Sequence, residues 1–235
     1  MPAVTAPLVA IAASTPRSRL LAIELGSRAF AFAPGQAVML APHGSSDRRL
    51  YSIACSQDRV AASGRLELLI AIDNASGTDL SWATPGVLVD LEGPLGTFTL
   101  PSALDQPRLL FVAGGTGIAP LRAMIDHALR HHADRRVSVL YSARRSDEFA
   151  FIDELREHES ARRIELRQTV TRDESASWLG RRGRIGRADF EAVVHEPAAT
   201  LCFVCGPPSM VNESVVVLQA LGVPSDQIRT EQWSG

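Results

Sequence analysis

Four short segments combine residue types that could hold phosphate groups and flat aromatic rings. Arg49-Leu-Tyr-Ser52 offers a cation for a phosphate, an aromatic face for a planar ring such as a flavin, and a hydroxyl donor. On a strand, Arg49 and Tyr51 share one face and Ser52 lies on the other. Tyrosine is also common in strands because it packs well there, so this segment fits a purely structural role too.

The second segment, Ser76-Gly-Thr-Asp-Leu-Ser81, follows an apolar run. Gly77 would let the backbone approach a phosphate, and Thr78 would add a hydroxyl beside the backbone N–H groups. The alternative is an ordinary loop that leads into a helix, with Thr78 or Asp79 as the N-cap.

Three glycines and a threonine stand together in the third segment, Val112-Ala-Gly-Gly-Thr-Gly-Ile-Ala-Pro120. Gly114, Gly115 and Gly117 would allow a pyrophosphate to approach the N-terminus of a helix, where the helix dipole favours anions. A tight turn needs only one glycine, so this set favours phosphate binding. The spacing differs from the GxGxxG fingerprint of standard dinucleotide-binding dehydrogenases.

The fourth segment, Cys205-Gly-Pro-Pro-Ser-Met210, follows the apolar run Leu201–Val204. Ligands of open parallel sheets bind at the carboxyl ends of the strands, where this segment and the glycine-rich one would both lie. Cys205 is equally compatible with a small buried hydrophobic residue. Cys202 and Cys205 have CxxC spacing, but no second pair exists to complete a four-cysteine cluster, so no metal site is expected.

The composition narrows the class of function. The 235 residues include 24 basic and 26 acidic side chains, and this balance predicts no nucleic-acid partner. All of the basic side chains are arginines, which excludes Schiff-base and P-loop chemistry because both need lysine. We expect no membrane span, because no apolar run approaches roughly 20 residues. The sparse cysteines and the lack of a basic start predict a cytoplasmic protein.

The hydrophobic pattern divides the chain into two halves. Short strands separated by turn residues predict an antiparallel β-barrel in residues 1–102. The predicted strands are Leu8–Ala13, Leu20–Leu25, Ala37–Ala41, Leu50–Ala54, Leu66–Ile72, Val87–Leu91 and Phe98–Leu100. Strand–helix alternation predicts an α/β domain with a parallel sheet in residues 103–235. Its strands are Leu109–Ala113, Val137–Tyr141, Ile164–Thr169, Leu201–Val204 and Ile228–Gln232, and its helices are Ile118–His131, Asp147–His158 and Pro208–Leu221.

Taken in order, these segments resemble the ferredoxin–NADP reductase superfamily. Three further segments match as well: Phe32-Ala-Pro-Gly-Gln36, Glu92-Gly-Pro-Leu-Gly-Thr-Phe98 and Glu231-Gln-Trp233. The resemblance covers nearly the whole chain. It implies a flavin-binding barrel, followed by an NAD(P)-binding α/β domain. No fused iron–sulfur domain is expected, because the chain lacks a cysteine cluster.

The resemblance also implies a role for each segment. Arg49, Leu50, Tyr51, Ser52, Gly77 and Thr78 would bind FAD rather than FMN, with Ser52 near flavin N5. The NAD(P) contacts would come from Gly114, Gly115, Thr116, Gly117, Cys205, Gly206 and Pro207. Trp233 would cover the flavin ring, and Ser52, Cys205 and Glu231 are the candidate catalytic residues. Cys55 departs from the family, which often has Ser or Thr there.

The choice of nucleotide and acceptor is less constrained. Thr171 and Arg172 stand where NADP-using relatives have a Ser-Arg pair, which favours NADPH over NADH. The resemblance implies a separate electron acceptor such as ferredoxin, flavodoxin or an oxygenase component. Two alternatives stay open: a free flavin or quinone reductase, and a non-catalytic electron-transfer subunit of a larger complex.

Overall fold

The computed structural model describes residues 3–72 and 78–233, and their contacts divide into two units. The first unit covers residues up to Leu100 together with Ala119–His127. The second covers Pro101–Ile118 and the chain from Ala128 onward. That the chain consists of two domains with a boundary between residues 102 and 103 stays a prediction.

Antiparallel strands build the first unit. They are β1 (Ala3–Thr15), β2 (Ser18–Glu24), β3 (Ala37–Pro42), β4 (Arg49–Ser52), β5 (Arg65–Ala71) and β6 (Leu88–Leu95). They pair in the order β4-β3-β6-β1-β2-β5. A bridge between Ile53 and Leu68, with the Ala54 N–H donating to the Glu67 carbonyl at 2.8 Å, joins the two outer strands. The sheet therefore closes into a barrel, whose interior is filled by alternate aliphatic side chains such as Leu8, Leu21 and Ile70.

A short helix, α1 (Gln57–Ser63), follows the barrel strand β4. The Ser56 side chain caps it by accepting the Arg59 N–H, and Gly64 ends it with φ of 71°. Only Val60 of this helix is buried. The sequence prediction missed α1 because one buried residue gives no helical periodicity, although Ser56 and Gly64 are recognisable cap residues.

Parallel strands form the sheet of the second unit. They are β7 (Arg108–Gly114), β8 (Arg136–Ala143), β9 (Glu165–Val170), β10 (Arg181–Arg182), β11 (Thr200–Gly206) and β12 (Ile228–Gln232). The helices are α2 (Ile118–His131), α3 (Ile152–Ser160), α4 (Arg187–Glu191) and α5 (Pro208–Ala220). Helix α2 contributes residues to both units.

The parallel strands lie in the order β10-β9-β8-β7-β11-β12. Every residue of β11 is buried, as expected for a strand covered on both faces. One face carries a core that includes Val112, Cys202, Phe190 of α4 and Leu218 of α5. The chain runs from β7 outward through β8 to β9 and then returns to the other side of β7. The switch point of this topology therefore lies between β7 and β11.

The predicted fold class, an N-terminal antiparallel barrel and a C-terminal parallel α/β sheet, is confirmed. Several elements differ from the prediction: β1 begins at Ala3 rather than Leu8, β6 ends at Leu95 rather than Leu91, and the short elements β10 and α4 are not among the predicted ones. Two further differences have a clear physical reason. Phe98–Leu100 forms no strand; Phe98 and Leu100 are buried, and the Leu100 N–H donates to the Pro34 carbonyl at 3.2 Å. Helix α3 begins at Ile152 rather than Asp147, because Phe151 adopts a left-handed conformation with φ of 58°.

Among the described residues, no helix combines the length and the apolar character that a bilayer span requires.

Candidate functional site

The glycine-rich segment forms the loop between β7 and α2. Gly114 ends the strand, Gly115–Gly117 makes one tight 3-10 turn, and α2 starts at Ile118. The first N–H groups of a helix have no partner within the helix, and the dipole makes this end positive. The loop lies at the carboxyl end of β7, beside the switch point of the sheet. An anion is therefore electrostatically favoured at this position.

The three glycines of this loop serve different purposes. A Cβ atom on Gly117 would lie 2.4 Å from the Cys205 carbonyl oxygen, and one on Gly114 would lie 2.8 Å from the Cδ atom of the rigid Pro207 ring. These two glycines are therefore required because the loop packs tightly on the end of β11 and on Pro207, which follows it. Gly115 has φ of 55°, and a Cβ atom there would meet only the Trp233 ring, at 3.7 Å. Gly115 thus supplies the left-handed conformation that the loop needs. It also leaves one side of the loop backbone uncovered by a side chain of its own, which we call the open face.

Cys205 lies on β11 directly beside Glu231 of β12. Its Sγ atom is 3.8 Å from Glu231 Oε2 and donates a weak hydrogen bond to it. Burial raises the pKa of the Cys205 thiol well above its ordinary value, and the Glu231 carboxylate raises it further. The side chain is therefore a neutral thiol at physiological pH, suited to contact and hydrogen bonding rather than to nucleophilic attack.

We expect Cys205 to resist alkylation in the folded protein. Thiolate is the reactive form, so iodoacetamide at pH 7.5 should modify Cys205 at least about tenfold more slowly than in the urea-unfolded chain. Site-resolved mass spectrometry measures both rates, and the unfolded chain is the control. Modification of folded Cys205 as fast as in the unfolded chain would contradict the neutral-thiol assignment.

Trp233 follows β12 and lies against the glycine loop. Its backbone N–H donates to the Gly206 carbonyl at 3.3 Å, and its ring approaches the open face of Gly115. The indole Nε1 atom is buried without a hydrogen-bond partner within the described part of the chain. The Trp233 side chain therefore places a flat aromatic ring beside the glycine loop, together with a buried N–H donor that lacks a partner among the described residues.

Three predicted residues of the first unit also come together. Tyr51 of β4 is half-buried and packs against the barrel core. Burial raises the pKa of its phenol, while a hydrogen bond with the Thr78 side chain and the charge of Arg49 oppose that increase. The first unit thus has a cluster of neighbouring side chains that combines a cation, a hydroxyl and an aromatic ring: Arg49, Thr78 and Tyr51. Ser52 lies at the end of the same strand, Leu50 is 58% exposed, and Gly77 lies outside the described residues.

Thr171 and Arg172 follow β9 at the same sheet edge as the glycine loop. The Thr171 hydroxyl and the Arg172 N–H donate to the Ala143 and Arg144 carbonyls, at 3.4 and 2.8 Å. Asp173 accepts the N–H groups of Ser146 and Ser175, at 2.8 and 2.9 Å. A hydrogen bond from the Ser146 side chain, and after it these two N–H groups, lower the pKa of Asp173 to about 2. The loops after β8 and β9 are thereby tied together, a role that the sequence prediction missed.

The carboxyl edge of the parallel sheet therefore gathers the predicted residues of the second unit. The glycine loop, Cys205, Gly206, Pro207, Glu231 and Trp233 lie at β7, β11 and β12, and Thr171 and Arg172 lie two strands away from β7. Cys202, the other cysteine of the CxxC spacing, lies in the core on the opposite face of β11. The role of each residue stays a prediction.

Comparison with known proteins identifies the family. Residues 111–215 match the family model of the oxidoreductase NAD-binding domain. Ferredoxin–NADP reductase B of Sorangium cellulosum (strain So ce56) is 33% identical, and the alignment covers 96% of each chain. The reductase component of propane 2-monooxygenase from Mycolicibacterium smegmatis is 31% identical, over 89% of this chain and 61% of its own.

Solved structures agree with this result. Amycolatopsis cytochrome P450 reductase GcoB superposes with a TM-score of 0.85 at 25% identity, covering 100% of this chain and 70% of its own. The resemblance noted from the sequence segments is confirmed, as are the family's cofactors, FAD and NAD(P)H. The chain belongs to the ferredoxin–NADP reductase family of NAD(P)H-dependent flavin oxidoreductases.

Proposed function

We propose that this chain takes hydride from NAD(P)H onto bound FAD, from nicotinamide C4 to flavin N5, and delivers electrons to a separate one-electron acceptor. Flavin supplies the chemistry that links a two-electron donor to one-electron carriers. The protein's part is to bind, orient and shield. One observation carries the proposal: the glycine loop, the Cys205–Glu231 pair and the Trp233 ring converge at the switch point of the parallel sheet.

The residues of the barrel fit a flavin. Arg49 offers a charge-assisted hydrogen bond to a phosphate, and Thr78 adds a hydroxyl beside it. Tyr51 presents a ring of which one side packs on the barrel core, so its other side can stack on the flavin or its ribityl chain. Ser52 would donate near N5, Leu50 offers an exposed apolar contact, and Gly77 would let a phosphate approach the backbone.

The residues of the second unit fit a dinucleotide. The loop N–H groups and the start of α2 would bind the pyrophosphate. Cys205 would contact the nicotinamide as a neutral thiol whose proton is directed to Glu231. Because that thiol stays protonated, Cys205 contributes shape and a weak hydrogen bond rather than acid–base catalysis. Gly206 and Pro207 would complete the wall beside it, and the Trp233 ring would shield the reacting face from water.

Names of relatives suggest the acceptor. The relatives named above are a ferredoxin–NADP reductase and the reductase component of a monooxygenase. This supports ferredoxin, flavodoxin or an oxygenase component as the acceptor. The rival functions are a free flavin or quinone reductase and a subunit that is inactive without a larger complex.

Steady-state turnover separates these functions. The FAD-loaded chain would be given NADPH or NADH with ferricyanide, a ferredoxin, free FMN or a quinone. The proposal predicts rapid reduction of the one-electron acceptors and slow reduction of FMN and quinone. Faster turnover of FMN or quinone would favour the diffusible-product reductase. Nicotinamide-dependent flavin reduction without turnover of any acceptor would favour the dependent subunit.

We expect NADPH to be the preferred nucleotide, with Arg172 as a contact of its 2′-phosphate. Arg172→Ala should then raise KM for NADPH about tenfold, the loss of one hydrogen bond between charged groups, and leave KM for NADH unchanged. Arg187→Ala is the control, because Arg187 is 60% exposed and pairs only with Glu191 on α4 in the described contacts. Equal changes for the two nucleotides would contradict the assignment.

A further inference from the structure

Tyr141 is a fully buried tyrosine of β8 that lies behind the glycine loop. Its hydroxyl donates to the Gly115 carbonyl at 3.2 Å and accepts the Ala150 N–H at 3.1 Å. A buried hydroxyl is costly unless it is hydrogen-bonded, and here both its donor and its acceptor capacity are used. The hydroxyl is therefore specified by the fold, whereas a phenylalanine would be sufficient to fill the space.

Neighbouring aromatic rings fix the position of that hydroxyl. Phe149 packs edge-on against the Tyr141 ring with centroids 4.9 Å apart, and Trp178 stacks on Phe149 at 5.6 Å. Burial raises the pKa of the Tyr141 phenol above its ordinary value, so the proton remains available to the Gly115 carbonyl. The donor is thus held rigidly from behind and keeps its proton.

The bond from Tyr141 to the Gly115 carbonyl, together with the Ile118 N–H that donates to the same carbonyl, sets the direction of the next N–H group. In a trans peptide, the C=O and the following N–H point in opposite directions. With the Gly115 carbonyl directed to Tyr141, the Thr116 N–H points away from Tyr141. Gly115 is the loop residue with a left-handed backbone and an open face. Its carbonyl accepts two donors, the Ile118 N–H at the start of α2 and the Tyr141 hydroxyl, and the hydroxyl is the only one of these two that comes from a side chain.

We propose that Tyr141 is a positioning residue for the dinucleotide: its hydroxyl holds the Gly115–Thr116 peptide so that the Thr116 N–H is oriented in advance toward the pyrophosphate. This inference rests on the proposed role of the glycine loop. The pyrophosphate is common to NADPH and NADH, so Tyr141 controls affinity for both nucleotides equally. Arg172, by contrast, should distinguish the two.

Tyr141→Phe tests the proposal because it removes one oxygen atom and keeps the ring packing. NADP⁺ and NAD⁺ binding would be measured by calorimetry on the FAD-loaded protein. We expect both Kd values to rise by about the same factor, roughly tenfold, with the maximal rate of flavin reduction within about twofold of the parent. In ¹⁵N spectra, the shift of the Thr116 amide on adding NADP⁺ should shrink.

The matched control is Thr200→Val. Thr200 is also buried, and its hydroxyl donates to the Glu196 carbonyl at 2.8 Å, but it lies at the opposite end of β11. This variant should lose similar stability and keep both Kd values. The positioning role is overturned if Tyr141→Phe keeps both Kd values, or if only the NADP⁺ value changes. A parent protein that binds neither nucleotide would instead overturn the proposed function, on which this role depends.

Discussion

Gly117→Ala should slow the reduction of bound flavin by NAD(P)H by about 100-fold. The new Cβ atom would lie 2.4 Å from the Cys205 carbonyl oxygen and 3.0 Å from the Gly206 nitrogen, which are backbone atoms of a buried strand. Either the glycine loop or the end of β11 must therefore move, and both carry proposed nucleotide contacts. A displacement of about 1 Å in a reacting geometry can reduce a rate by this factor. Anaerobic stopped-flow absorbance measures the rate.

The control for this variant is Gly186→Ala. Gly186 has φ of −140°, and no atom of the described residues lies within 4 Å of the position where a Cβ would be, so alanine fits there without strain. Its flavin reduction rate should stay within about twofold of the parent, since only packing at the loop is proposed to matter. The two variants add the same methyl group. Equal rates for both would show that the contact between the glycine loop and the end of β11 does not position the nucleotide.

Arg122→Ala should reduce the free energy of unfolding by about 3 kcal/mol. Arg122 lies on α2, within the first unit, and is 5% exposed. Its guanidinium donates to the Ala54 carbonyl at 2.8 Å and to Glu67 Oε2 at 2.5 Å. Removing one member of a buried ion pair leaves the other charge buried without a partner, which costs about 3–5 kcal/mol. The lower end applies because water reaches Glu67, whose side chain is 28% exposed.

Urea unfolding followed by circular dichroism measures this loss, with Arg65→Ala as the control. Arg65 also pairs with a glutamate, Glu24, at 3.3 Å, but its side chain is 54% exposed. Exposed pairs contribute about 0–1 kcal/mol, so this variant should be nearly as stable as the parent. Similar losses in the two variants would contradict the view that burial of Arg122 determines its importance.

Helix α2 has a helical hydrophobic period, and its predicted bounds agree with the structure. The last strand, Ile228–Gln232, also has its predicted bounds, although it has no such period and buries none of its side chains. Two helix starts could not be predicted. Helix α1 buries only Val60, and the start of α3 depends on the left-handed conformation of Phe151, which no residue preference favours.

The same limit applies to the candidate site. The glycine spacing indicated a close backbone approach, but only the structure separates Gly117, which packs on Cys205, from Gly115, which has the open face. The sequence pattern indicates only that Tyr141 is an aromatic core residue of a strand. Its bond to Gly115 joins residues 26 positions apart, a separation that local sequence patterns do not report.

The most direct test of the central claim is the visible spectrum of the purified chain, recorded before and after anaerobic addition of NADPH and then NADH. We expect flavin absorption bands that one or both nucleotides bleach, with NADPH acting at the lower concentration. A colourless protein that fails to take up added FAD or FMN would contradict the flavin-dependent electron transfer proposed for this chain.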